Sequence, residues 1–114
     1  MTIHILPPAS DAPKHLMAAA ELHFDGADSD LLYGLRLVGF AIWRIGRDGV
    51  ERLSVTFPAR QYVDAHGEYH SQSHLQCIAD PDARLTLRDA ILRAYHRYIA
   101  TTLPSNTLST AAVR

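Results

Sequence analysis

The stretch from Val38 to Phe57, Val-Gly-Phe-Ala-Ile-Trp-Arg-Ile-Gly-Arg-Asp-Gly-Val-Glu-Arg-Leu-Ser-Val-Thr-Phe, reads as two strands folded back on each other. Its pivot is Arg47-Asp48-Gly49, because the left-handed backbone of a tight hairpin turn costs glycine nothing and is tolerated by aspartate. On the C-terminal side, Leu53, Val55 and Phe57 share one parity and Arg52, Ser54 and Thr56 the other, the alternation of a strand with one buried face. Pro58 ends that strand, since it has no N–H to donate to a ladder. On the N-terminal side, Leu31 to Ile45 is apolar on both parities and reads as one long strand, which Gly39 bends or bulges.

Upstream, Leu16, Ala18, Ala20, Leu22 and Phe24 alternate with His15, Met17, Ala19, Glu21 and His23 as a further half-buried strand. Asp25-Gly26-Ala27-Asp28-Ser29-Asp30 carries the turn chemistry that connects it to the next strand. Downstream of Pro58, a loop around Asp64-Ala65-His66-Gly67 leads into Glu68 to Ile78, a more polar alternation expected at a sheet edge. Asp80-Pro81-Asp82 then opens a helix to about Ala100, with Thr86 and Asp89 spaced as a capping box. At 100° per residue, Leu87, Ala90, Ile91, Ala94, Tyr95 and Tyr98 form one stripe. Leu92 and Ile99 widen the stripe beyond what a helix lying on a sheet needs, and a homodimer contact accounts for the surplus. The expected fold is α+β: a twisted antiparallel β-sheet of about four strands followed by one main C-terminal α-helix packed on it. That domain spans residues 15–102, between a flexible N-terminal arm over residues 1–14, rich in proline, and a flexible tail over residues 103–114.

The chain has 114 residues, 47% of them hydrophobic, which suits one core and leaves no material for a second. Its net charge of −1 excludes a histone-like polycation. No apolar run approaches the roughly 20 residues that cross a bilayer, so no membrane contact and a cytoplasmic location are expected. Cys77 is the sole cysteine, which rules out an internal disulfide, and its strand setting predicts a buried, inert thiol. His66, His70 and His74 recur every four residues, but along an extended strand His70 and His74 stand about 13 Å apart. No metal and no other cofactor is expected. Neither a nucleophile elbow nor a phosphate-binding glycine loop nor a dinucleotide fingerprint occurs, and the chain reads as no enzyme.

The charge is unevenly spread. Residues 61–83 hold four acids and no base, whereas residues 36–60 and 84–100 each carry a net +3, all of it from arginine. Arginine is suited to phosphate because its planar guanidinium donates in pairs. Arg93 and Arg97 lie four apart on the polar helix face, and Arg44, Arg47 and Arg52 extend a basic patch from the hairpin. Trp43 and Tyr69 are the aromatics placed to stack on an unpaired base, against the plainer reading of half-buried sheet packing.

Four segments resemble the SpoVG family, the stage V sporulation and septation regulators of bacteria. Gly34-Leu35-Arg36-Leu37-Val38-Gly39 looks like the family's second strand. Leu53-Ser54-Val55-Thr56-Phe57-Pro58-Ala59-Arg60 is similar to its strand ending in a proline corner, and Asp64-Ala65-His66-Gly67-Glu68-Tyr69 stands where the family has Asp-Gly-Glu-Phe. Arg88-Asp89-Ala90-Ile91-Leu92-Arg93-Ala94-Tyr95-His96-Arg97 resembles its helix. The resemblance implies a small DNA-binding regulator, with Arg60 at the corner among the contacts and DNA or RNA as partner. A protein-interaction or assembly module of the same fold is the alternative, favoured by the net charge and the acidic segment from Asp64 to Asp82.

Overall fold

A computed structural model describes residues 1–27, 30–47 and 49–102, the side chains of Arg47 and Thr102 excepted. The expected tail over residues 103–114 lies outside the described residues, as do Asp28, Ser29 and Asp48 of the two expected turns. Six strands and a helix follow one another along the described chain: β1 (Thr2–Leu6), β2 (Leu16–His23), β3 (Arg36–Arg47), β4 (Val50–Thr56), β5 (Ala59–Val63), β6 (Tyr69–Ser73) and α1 (Ala83–Thr102). The first four form one antiparallel sheet in the order β1-β2-β3-β4, while β5 and β6 pair only with each other. The architecture is thus α+β, a four-stranded antiparallel sheet with one C-terminal helix, and the sheet stays open.

Alternation in β2 sets the core. Ala18, Ala20 and Leu22 are buried, as are Phe40 and Ile42 of β3 beside them. Two alanines in the middle of the sheet leave room for large side chains from above, and Ile91 and Tyr95 of α1 fill it. The helix reaches the sheet near both β4 and β1. Leu92 and Ile99 are half-buried and pack against this same core, so the wide apolar arc has a partner within its own chain.

The hairpin forms with Arg47 opposite Val50, the register of a two-residue turn, and Gly49 takes the left-handed backbone at φ 80°. At Gly39 the expected irregularity is a bulge. Ala20 pairs with Phe40 and Leu22 with Leu37, so Val38 and Gly39 together oppose Glu21. Gly39 has φ 106°, and a Cβ built there would lie 2.9 Å from Cβ of the buried Pro58.

Five expectations are corrected. Thr2–Leu6 is no loose arm: it pairs with β2 from Thr2–His23 to Leu6–Ala19 and turns Ile3 and Ile5 onto the core. Leu31 to Leu35 precede β3 instead of belonging to it. Gly34 sits at φ 85°; its N–H donates to the Phe24 carbonyl, and the Phe24 N–H donates to the Leu35 carbonyl, which ends the ladder in a turn. The polar alternation after Glu68 yields only Tyr69–Ser73, and its partner across the expected Asp64–Gly67 turn is β5, a strand not assigned from the sequence. Past Ser73 the chain turns, with the Gln76 side-chain amide donating to the Ser73 carbonyl. This leaves Cys77 exposed outside any strand. Finally, Thr86 is not a cap. The Asp82 carbonyl accepts its N–H, and the Asp80 carboxylate accepts the Asp82 N–H at 2.9 Å, so the helix opens at Asp80-Pro81-Asp82 as expected, with Asp80 and not Thr86 bonding its first turn.

Candidate nucleic-acid interface

Leu16 pairs with Trp43, and the Arg44 N–H donates to the His15 carbonyl at 2.9 Å. Those bonds lay Pro13, Lys14 and His15 alongside the end of β3, next to the β3–β4 hairpin. Two open grooves meet there. One, of about 390 Å³, is lined by Pro13, Lys14, Trp43 and Ile45 with Ser54 and Thr56 of β4. The other, of about 650 Å³, is lined by Gly46, Val50 and Arg52. His15, Arg44 and Ile45 belong to both, and among the described residues no carboxylate lines either. Glu51 stands outside them, with Oε1 4.0 Å from Arg44 Nη1, the outer limit of an exposed ion pair.

Trp43 follows the buried Ile42 and therefore faces the opposite side of the sheet from the helix. Its indole N–H donates to Thr56 Oγ1 at 2.9 Å. The ring's polar edge is satisfied inside the protein and its apolar surface lines the smaller groove.

Of the arginines singled out in the sequence, Arg44 and Arg52 both line the larger groove, Arg52 from the Trp43 face of the hairpin and Arg44, opposite Leu53, from the other. Arg47 ends β3, and its side chain lies outside the described residues. Arg60 stands on the separate sheet, with its guanidinium 4.9 Å from the Tyr62 ring centroid. Arg93 and Arg97 are exposed on α1, and the helix ion pair with Asp89 is made by Arg88 at 3.0 Å. Lys14 and His15 were missed, because only the pairing of Leu16 with Trp43 brings them to the hairpin. Tyr69 opens β6 and is 85% exposed, so its ring is not half-buried by sheet packing.

Two other polar clusters are built on the strands. On the outer face of the main sheet, Glu21 bonds His23 at 3.0 Å and Arg36 at 3.3 Å, and His23 stacks on His4 at 3.7 Å. The His23 hydrogen bond holds the Glu21 carboxyl below the usual glutamate range; partial burial opposes the shift and Arg36 assists it. At the tip of the β5–β6 hairpin, Asp64 Oδ1 accepts the His66 and Glu68 N–H groups, and Oδ2 bonds His70 Nε2 at 2.7 Å. The ligating atoms of Asp64, Glu68 and His70 lie within 4.8 Å of one another. This trio contains neither His66 nor His74, so the fourfold histidine spacing does not gather one set of ligands. Its hydrogen bonds account for Asp64 and His70 as turn-forming residues.

No family model matches the chain, and no curated protein or solved structure shows a significant similarity to it. No described helix is long and apolar enough to cross a membrane.

Proposed function

We propose that this chain is a nucleic-acid-binding regulatory protein of the kind its resemblance to SpoVG implies, and that it binds the polynucleotide at the β3–β4 hairpin. The observation that carries this reading is the meeting of Lys14, Arg44 and Arg52 in connected grooves, with no carboxylate among the described lining residues. A polyanion needs that arrangement, since each cation facing a phosphate releases condensed counterions and strengthens binding at low salt. The net charge of −1 is no obstacle, because most of the acids lie elsewhere along the chain.

Titrating oligonucleotides at salt concentrations from about 50 to 200 mM tests this. Binding is expected to weaken steeply with salt, and the Arg44→Ala/Arg52→Ala double variant should flatten the log–log slope by about two. The Arg93→Ala/Arg97→Ala variant asks whether the helix adds contacts of its own; an unchanged slope confines the interface to the hairpin. No salt-dependent binding by the wild type at about 50 mM would sink the proposal.

A second reading, a protein-interaction module, is favoured by the segment before and into β3. There Leu31 is 90% exposed and Tyr33 68%, with Leu35 and Val38 also exposed. Such a run of apolar side chains is unusual on a monomer's surface. Homodimerisation through it, instead of through Leu92 and Ile99, is tested by sedimentation of the wild type and a Tyr33→Ser/Leu35→Ser variant. A concentration-dependent dimer that the variant loses supports this surface.

A further inference from the structure

We infer that the smaller groove receives an unpaired base on Trp43, so that the polynucleotide taken by this surface is single-stranded. The inference rests on the nucleic-acid reading above and specifies it. The geometry at Trp43 separates a polar edge from an apolar face. The N–H is committed to Thr56 Oγ1 at 2.9 Å, so the indole has no donor left for a base edge or a phosphate. What it offers is ring surface, half-buried between Pro13 and Ile45. A base within a duplex cannot use such a surface: its faces are covered by neighbouring pairs, and only its edges reach the grooves. An unpaired base has a free face, and stacking on an aromatic side chain is tolerant of sequence because every base has one.

The surroundings suit the rest of a nucleotide. Lys14 lines the groove with the ring, and Arg52, on the Trp43 face of the hairpin, lines the neighbouring groove; Arg44 borders both grooves but stands opposite Leu53, with Glu51 4.0 Å away. A strand with one base against Trp43 therefore has cations along its path for the adjoining phosphates. An apolar peptide segment would fill the same apolar surface but would bring no counter-charge to Lys14 and Arg52. That charge complementarity selects the polyanion.

Trp43 is the only tryptophan, so its emission reports on this groove alone. Intrinsic fluorescence and the anisotropy of an end-labelled oligonucleotide can be followed in the same titration, with a single strand and with a blunt duplex of equal length. The expected result is quenching of Trp43 that tracks single-strand binding, with the duplex bound more weakly and without quenching. Trp43→Ala should weaken single-strand binding between about fivefold and a hundredfold and leave duplex binding unchanged. Trp43→Phe should restore most of the loss, and it serves if the alanine variant fails to fold. Equal binding of both forms with unaltered Trp43 emission overturns the single-strand inference and leaves the salt-dependent interface standing. Absence of any salt-dependent binding overturns both, and quenching by an apolar peptide but by no oligonucleotide assigns the groove to a protein partner.

Discussion

Asp64 uses one carboxylate to hold a whole turn: two backbone N–H groups on one oxygen and the His70 ring on the other. The His70 hydrogen bond, with the Glu68 and His66 N–H groups behind it, keeps the Asp64 carboxyl below the usual aspartate range against a small opposing effect of burial. Because the folded value is the lower one, the stabilisation is fully present above the ordinary aspartate value. It is lost as pH falls through the depressed value. Carboxyl NMR titration should place the Asp64 midpoint below that of an exposed aspartate, and His70→Ala should move it up while shifting acid unfolding of the hairpin to higher pH. An unchanged midpoint in the variant would assign the depression to the backbone donors alone. The turn was readable from Asp64 and Gly67, whereas the bond to His70 was not, because it requires β6 to run antiparallel to β5 with Tyr62 opposite His70.

Among the elements, β3 depends most on a single position. Gly39 supplies both the positive φ of the bulge and the space that Pro58 occupies, so Gly39→Ala should cost at least the roughly 1–3 kcal/mol of a strained backbone. Gly46→Ala is the control, since its Cβ would meet Glu51 at an ordinary 3.5 Å; it should alter denaturant stability by no more than about 0.5 kcal/mol. On α1, Leu92→Ala should cost about 1–2 kcal/mol, below the range for fully buried leucines, and leave the sedimentation coefficient unchanged, because Leu92 packs on its own core. A variant that dissociated a dimer at unaltered stability would reverse that assignment. Local signals made β2, the irregularity at Gly39 and the hairpin at Arg47-Asp48-Gly49 legible in the sequence. β1 was not: Pro7, Pro8 and Pro13 argue for a loose arm, and only the free edge of β2 recruits Thr2–Leu6. The pairing of β5 with β6 was equally hidden, since a polar alternation does not say which strand takes it. In the site, Arg44 and Arg52 stand out from the hairpin, while Lys14 and His15 are tied to it by long-range pairing.

At the scale of the molecule, the acidic and basic segments alternate along the chain, yet the fold delivers three cations to one end of the main sheet, with no acid among the described residues of the grooves. A molecule with a net charge of −1 can thus present a locally positive surface. The separation of the two sheets has a different consequence. β5 is exposed throughout, and β6 is exposed except at Ser73. Just before β5 and just after β6, a backbone bond from the His74 N–H to the Pro58 carbonyl closes the base of the hairpin. With so little apolar surface to lose, this hairpin should open as a unit of its own while the sheet and α1 stay folded. Native-state hydrogen exchange is expected to show two classes of amide: those paired between β5 and β6 exchanging through a low-energy opening, and those of β2 and β3 only through global unfolding. The protein would then respond to denaturant in two steps, and a probe on Tyr62 would report a transition that Trp43 does not see.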